Sequence, residues 1–347
     1  MDPASSNPLP YLTPDVPGIG GMLKHVPEDF DVEEIPAYEP SGSGEHLFLW
    51  IEKRDVSAEQ LTRHLSRALG VPPGEIGSAG LKDRRAVTRQ YVSVPARLES
   101  SIAAVETGSI RVLRSARHGN KLRTGHLKGN RFSILVRNVG PDAVTRAAAI
   151  AERIRALGFP NYFGEQRFGR EGDTRALGFD LLRGVKASRD LRGGNERFLL
   201  RLALSAVQSQ LFNEALAERL ADGLLHGVLV GDVMEVVASG GKFVVDDARA
   251  EQMRFDRREV VTTGPLFGPK MKLPAGEPAE REARLLERHG LGSADFLRFR
   301  KLTSGTRRPY VIWPEELRVN REPDGLRFRF SLAAGVYATT LLREFQR

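Results

Sequence analysis

The sequence predicts an α+β protein. Three observations carry this reading: short runs of alternating apolar and polar residues separated by Gly, Pro and Ser turns; two stretches of helical period with end signals; and a change of texture near Phe159, where longer helical runs begin.

Taken in order, Met1 to about Pro17 is rich in Pro and Ser and reads as a mobile arm. Leu23 to Ile35 and His46 to Lys53 read as extended, parted by the turn residues Glu39-Pro-Ser-Gly-Ser-Gly44. Ser57 opens a helix: Ser57 with Gln60 makes a capping box, Leu61, Leu65 and Leu69 recur on one face, and Gly70 then Pro72 end it. Gln90 to Pro95, Ile110 to His118 and Arg131 to Val139 alternate as strands. Asp142 is placed to cap a second helix that closes at Gly158, with Ala148, Ile150, Ile154 and Leu157 inward.

Beyond Phe159, Arg-rich loops precede a long helix from Glu196 to Leu220 carrying Leu199, Leu202, Ala206 and Leu211. Strands follow at Val228 to Val237 and Lys242 to Val245, then a charged helix from Glu277 to His289. The Gly/Pro stretch 264–276 reads as a loop. Leu326, Phe328, Phe330 and Leu332 alternate with Arg327, Arg329 and Ser331, the pattern of a half-buried strand with a basic outer face. No internal repeat is visible.

With 347 residues the chain can build one large or two ordinary domains. It is 41% hydrophobic and 28% charged, with 17 Phe for packing, which is a globular composition. The net charge of +8 and pI near 9.9 favour polyanionic partners without choosing among RNA, DNA and anionic membranes. There is no apolar run of spanning length and no basic-then-apolar leader, so the expectation is a cytoplasmic protein with no membrane segment. Zero cysteines exclude disulfides, Fe–S clusters and thiolate zinc sites. The seven His show no metal-binding helical spacing, so no metal is expected.

The most informative stretch runs from Gly77 to Gln90, Gly-Ser-Ala-Gly-Leu-Lys-Asp-Arg-Arg-Ala-Val-Thr-Arg-Gln. It sets one carboxylate, Asp83, among Lys82, Arg84 and Arg85. Nearby cations keep an Asp ionised and able to act as nucleophile or base, and the same cations can receive a phosphodiester. On charge pattern alone the run equally describes a solvated surface ion pair. Other signals are weaker. Gly18-Ile-Gly-Gly21 lacks the context of a phosphate cradle, Gly240-Gly-Lys242 lacks the Walker spacing, and the adjacent pairs Glu28-Asp29 and Glu33-Glu34 cannot straddle a glycosidic bond.

Six collinear blocks settle the alternatives differently. Pro27-Glu-Asp-Phe-Asp-Val-Glu-Glu34, Ala79-Gly-Leu-Lys-Asp-Arg-Arg-Ala-Val-Thr-Arg-Gln90, Leu127-Lys-Gly-Asn-Arg-Phe132, Asn161-Tyr-Phe-Gly-Glu-Gln-Arg-Phe-Gly169, Ser205-Ala-Val-Gln-Ser-Gln-Leu-Phe-Asn213 and Tyr337-Ala-Thr-Thr-Leu-Leu-Arg-Glu344 follow one another. Together they resemble the TruD-type family of tRNA pseudouridine synthases, which isomerise uridine 13 of tRNA. The resemblance runs from about Gly20 almost to the C-terminus.

It implies a mixed, mainly antiparallel catalytic sheet with flanking helices, discontinuous over 1–158 and 311–347, interrupted by an α/β insertion at 159–310. It implies a reaction that needs no cofactor or metal, with tRNA as partner; a monomer is the default expectation. Asp83 becomes the carboxylate that traps C1′ of the ribose or acts at the sugar while the base turns. Lys24 becomes its cation, in preference to Lys82 or Arg84, because neighbours along a chain diverge in direction. Phe30 matches a stacking residue, although an alternating segment would equally use it as core. Asn130 presents a donor and an acceptor to a uracil edge, although after Gly129 it also reads as a turn residue. Phe132, two residues on, shares its face and lines the pocket or packs the core. Tyr337 stands where many relatives carry Phe; its ring can stack and its hydroxyl could relay the proton lost from C5.

Arg84, Arg85 and Arg89, Arg167 and Arg170, and Arg298, Arg300, Lys301, Arg307 and Arg308 are candidates for the RNA backbone, with Arg167 alternatively an ion-pair partner of Glu165. Two other functions fit the same blocks less well: a catalytically silent tRNA-binding or folding protein, and a hydrolase that releases the base.

Overall fold

The computed structural model describes residues 9–169, 172–187 and 196–347. The expected arm at the N-terminus therefore lies partly outside the described residues. The chain divides into two compact units. One holds Val16–Ala156, Pro314–Ala338 and Phe345–Arg347; the other holds Met1–Asp15, Leu157–Trp313 and Thr339–Glu344.

The first unit is a sheet of eight strands. Its strands are β1 (Phe30–Pro36), β2 (His46–Arg54), β3 (Gly77–Ser78), β4 (Val87–Pro95), β5 (Ile110–His118) and β6 (Leu127–Arg137). Two strands from the far end of the chain complete it, which makes the sheet discontinuous in sequence. All pairs are antiparallel except β1 with β4. Helices α1 (Ala58–Leu69) and α2 (Ala143–Leu157) belong to this part of the chain. Ser57 Oγ accepts from the Gln60 N–H and the Gln60 side chain returns to the Ser57 N–H, while Gly70 closes α1 at φ +66°. Leu61, Leu65 and Leu69 bury α1 against Leu47, Leu49, Ile51, Val92 and Val94.

The second unit contains β7 (Phe159–Pro160), α3 (Asp173–Arg183), α4 (Glu196–Ala221), β8 (Val233–Val236), β9 (Lys242–Val244), α5 (Ala248–Asp256), β10 (Val260–Leu266), α6 (Gly276–Arg288), β11 (Thr306–Pro309) and β12 (Val311–Ile312). Its strands form a sheet of order β11-β10-β8-β9 and a separate β7–β12 pair. Phe179, Leu182, Leu204, Val207, Leu211, Phe267, Leu285 and Phe296 make its core. The chain then returns to the first sheet as β13 (Glu315–Glu322) and β14 (Gly325–Ala333), ahead of α7 (Ala338–Arg343). The order of that sheet is β13-β14-β6-β1-β4-β2-β5, with β3 on β4.

Several details depart from the sequence reading. Pro27–Asp29 form a 3-10 turn before β1, because the buried Asp29 carboxylate accepts the Val26 N–H and is paired with Arg137 at 2.8 Å. Burial pushes the Asp29 carboxyl up, but Arg137 and the Val26 N–H outweigh it and leave it below the usual carboxylate range. Asp142 does not cap α2: it sits at φ +60°, whereas a cap is extended, and its carboxylate lies 4.0 Å from Arg146. The buried face of α2 is Ala143, Ala147, Ile150, Ala151 and Ile154, so Ala148 and Leu157 point outward. The 264–276 stretch is not all loop. β10 runs through Gly264, where a Cβ would stand 2.2 Å from the Tyr310 ring, so glycine serves packing there. The unit division also differs from the expected one at both chain ends. Leu12 N–H donates to Glu344 at 2.9 Å, and the Arg343 guanidinium lies 3.8 Å over the Tyr11 ring, so these ends cluster with the second unit.

Candidate active site

Register places the site. Directly paired residues share a sheet face, so Lys53, Thr88, Val32, Phe132 and Phe330 form one row across five strands. Two residues along each strand, Ile51, Gln90, Glu34, Asn130 and Leu332 lie on the same face. A face built of apolar residues thus carries a run of polar ones: Lys53, Thr88, Gln90, Glu34 and Asn130. Lys53, Thr88, Gln90 and Glu34 are buried and Asn130 is half-buried.

Asp83 reaches this region from the loop between β3 and β4. Lys24 Nζ donates to Asp83 Oδ1 at 3.0 Å and lies 4.0 Å over the Phe30 ring. Lys24 itself sits at φ +56°, a left-handed backbone that turns its side chain back toward the loop. The Asp83 side chain is 41% exposed, so the carboxylate remains open to solvent. Phe30 begins β1 and is only 1% exposed; its ring meets Phe132 edge-on at 6.2 Å, and Phe132 stacks on Phe330 at 5.2 Å. Asn130 Oδ1 is buried without a hydrogen-bond partner among the described residues, as are Gln90 Oε1 and Thr88 Oγ1. A buried polar atom left unpaired costs about 1–3 kcal/mol. Tyr337 is half-buried between β14 and α7.

Lys82 turns away from Asp83. Its Nζ donates to Glu34 Oε2 at 2.7 Å, with side-chain exposures of 4% and 1%. The other Glu34 oxygen accepts the Tyr91 N–H. On the far side, fully buried Lys53 donates to the main-chain oxygens of Val56 at 2.6 Å and Asp83 at 2.8 Å. Burial lowers the Lys53 ammonium to about 8, with Lys82 acting in the same direction and Asp83 against it. The sequence does not single out Lys53. Its one signal is a cation closing the apolar run Leu47 to Ile51, which looks like an ordinary solvated strand end.

The arginines divide. Arg84 is exposed and 3.9 Å from Asp55; Arg85 is exposed and donates to the His25 carbonyl. Arg89 is committed to Asp31 and Glu52, both at 2.9 Å. In the second unit, Arg167 turns to α4 rather than Glu165, donating to Ser205 Oγ at 2.5 Å and lying over Phe163. Arg307 is buried against Glu282 at 2.8 Å and cannot meet RNA; Arg308 donates to Asn161 Oδ1 and stacks over Phe163. Arg298 pairs with Asp295 at 2.6 Å. Arg170 lies outside the described residues. Among the described residues, no group of three His, Asp or Glu is arranged to hold a metal, and no helix is long and apolar enough to cross a membrane.

The family model for tRNA pseudouridine synthase D (TruD) matches residues 8–189 and 195–345. The chain belongs to this family. A tRNA pseudouridine synthase D of Anaeromyxobacter dehalogenans is 47% identical over 98% of this chain and 96% of its own length. One from Thermus thermophilus is 43% identical over 97% of this chain and 92% of its own. The crystal structure of a TruD protein from Methanosarcina mazei superposes with a TM-score of 0.77 at 26% identity, covering 96% of this chain and 94% of that one. The mixed, mainly antiparallel sheet with its helices is thus the TruD fold, and the TruD family is one of pseudouridine synthases, which are isomerases.

Proposed function

We propose that this TruD-family chain isomerises uridine 13 of tRNA, with Asp83 as nucleophile. The observation that carries this is the Lys24–Asp83 ion pair standing over Phe30, with the carboxylate open to solvent. In this reading the Asp83 carboxylate attacks C1′ of the ribose and the C1′–N1 bond breaks. The freed uracil turns, C5 bonds to C1′ as the carboxylate leaves, C5 gives up its proton, and N1 gains one. Nothing is oxidised or added.

The target base must first leave its stack, which costs a few kcal/mol. Asn130 offsets part of that cost, its orphan Oδ1 accepting the uracil N3–H and its amide donating to a uracil carbonyl. Phe30 becomes a stacking surface when Lys24 moves off its ring. Phe132 backs Phe30, and Tyr337 supplies a second ring and a hydroxyl. Arg84 and Arg85, exposed beside the loop, meet the RNA backbone, while Arg167 keeps the second unit's loop in order. Lys24 orients the carboxylate and stabilises it when it departs. No cofactor enters the scheme, and the protein works as a cytoplasmic monomer.

The test uses unmodified tRNA transcripts and carbodiimide mapping of pseudouridine. Wild type is expected to mark position 13 and Asp83→Asn to leave it unmarked. Pseudouridine at 13 from Asp83→Asn overturns the nucleophile, a mark elsewhere overturns the position, and no product with tight tRNA binding favours a silent binder.

A further inference from the structure

We propose that Lys53 is a positioning residue for Asp83, fixing the nucleophile through its main chain while Lys24 meets its side chain. This rests on the reading of Asp83 as the nucleophile. The loop is buried at its ends, Ala79 and Ala86, but its middle has little apolar anchorage. Leu81 is 85% exposed, and Asp83, Arg84 and Arg85 are all exposed. A segment of this kind has few apolar contacts to define its backbone, and flexible loops place groups poorly.

Two buried ammonium groups supply what the core does not. Lys82 Nζ anchors the residue before the nucleophile to Glu34 on β1. Lys53 Nζ, from the end of β2, takes the carbonyl of Asp83 itself. The second bond of Lys53, to the Val56 carbonyl, ties the same ammonium to the turn that leads into α1. The peptide plane that follows the Asp83 Cα is therefore referenced to two regular elements. Rotation of that plane would swing the carboxylate, and an error of about 1 Å at a reacting group can cost a hundredfold in rate.

The position is an expensive one for a cation. Lys53 is paired across the sheet with Thr88 and is wholly buried, with no carboxylate bonded to its Nζ among the described residues. A methionine would fill the same space with no desolvation cost. The lysine does what methionine cannot, which is to donate to two carbonyls at once.

The test compares Lys53→Met and Lys53→Gln with Asp83→Asn, measuring kcat on unmodified tRNA transcript, tRNA affinity by filter binding, and amide hydrogen exchange. Lys53→Met is expected to lose about tenfold or more in kcat with tRNA Kd within about twofold. Lys53→Gln, which keeps a donating NH2 group on a side chain one atom shorter, should fall between. Exchange should quicken at residues 80–86 and stay unchanged in β5. A wild-type kcat in folded Lys53→Met, or a loss of tRNA affinity parallel to the loss of kcat, overturns the proposal. Where Lys53→Met does not fold, either of those results in Lys53→Gln overturns it equally. An active Asp83→Asn would instead overturn the nucleophile reading, whereas an inactive Asp83→Asn beside an unimpaired Lys53→Met removes only the positioning role.

Discussion

The ammonium of Lys82 meets the carboxylate of Glu34 at 2.7 Å with both side chains shut away from water. Breaking such a pair from one side leaves a buried charge without compensation, which typically costs about 3–5 kcal/mol. Glu34→Ala is therefore expected to destabilise the sheet unit by that order. Lys82→Met with Glu34→Leu should recover much of the loss, because both charges go together. Urea unfolding of the three proteins checks this; a double variant no more stable than Glu34→Ala would mean the pair is not the source.

Lys24 and Asp83 form the opposite kind of pair, half in solvent at 24% and 41% side-chain exposure. Such bridges contribute about 0–1 kcal/mol to folding. Lys24→Met should thus leave the melting temperature nearly unchanged while lowering turnover by about tenfold or more, since an aligned charge acts most strongly on the reacting state. Parallel calorimetry and single-turnover assays separate the two effects. Equal turnover would remove Lys24 from the chemistry.

Lys53 gives a pH signature of its own. Its folded pKa, about 8, lies below the ordinary value of 10.5 because it is buried. Between those values the unfolded chain holds a proton that the folded chain has released, so this group's contribution to stability rises with pH across that window. Below the window both states are protonated and the burial penalty is at its fullest. The stability of wild type relative to Lys53→Met should shift in favour of wild type between about pH 7.5 and about pH 9.5. A shift in the other direction in urea titrations at the two pH values would sink the assignment.

Tyr337→Phe keeps the ring and removes the hydroxyl. Turnover within about twofold of wild type is expected, with Tyr337→Ala much slower, since a phenyl ring stacks as well as a phenol. A large loss in Tyr337→Phe alone would instead show the hydroxyl relaying the C5 proton.

Local signals in the sequence are legible where one residue decides the outcome. Ser57 and Gln60 cap α1 from both directions, and Gly70 ends it in the left-handed conformation. The strand from Ile110 to His118 forms with the bounds its alternation gives, although a register shift opposite Trp50 and Ile51 leaves Leu113 outside the pairing. Signals that depend on partners are not legible. Asp142 has a capping side chain but a left-handed backbone. Ala147 and Ala148 are identical in composition, and only packing decides that Ala147 faces inward. Gly264 and Pro265 mark a turn in isolation, yet the Tyr310 ring and pairing with β11 keep them in a strand. At the site, the divergence of Lys82 from Asp83 follows from chain direction, whereas the bond from Lys53 to the Asp83 carbonyl depends on a loop 30 residues away.

The ladder between β14 and β6 joins Gly325–Ala333 to Gly129–Arg137. During synthesis on the ribosome, β6 emerges long before its neighbour exists, and at ordinary translation rates the interval is on the order of tens of seconds. For that time a strand destined for the interior of the sheet presents an unpaired edge of main-chain N–H and C=O groups, with apolar Phe132, Ile134 and Val136 on one face. The nascent chain is therefore a natural client for chaperones, and truncations that remove the last two strands should aggregate rather than yield a smaller active enzyme.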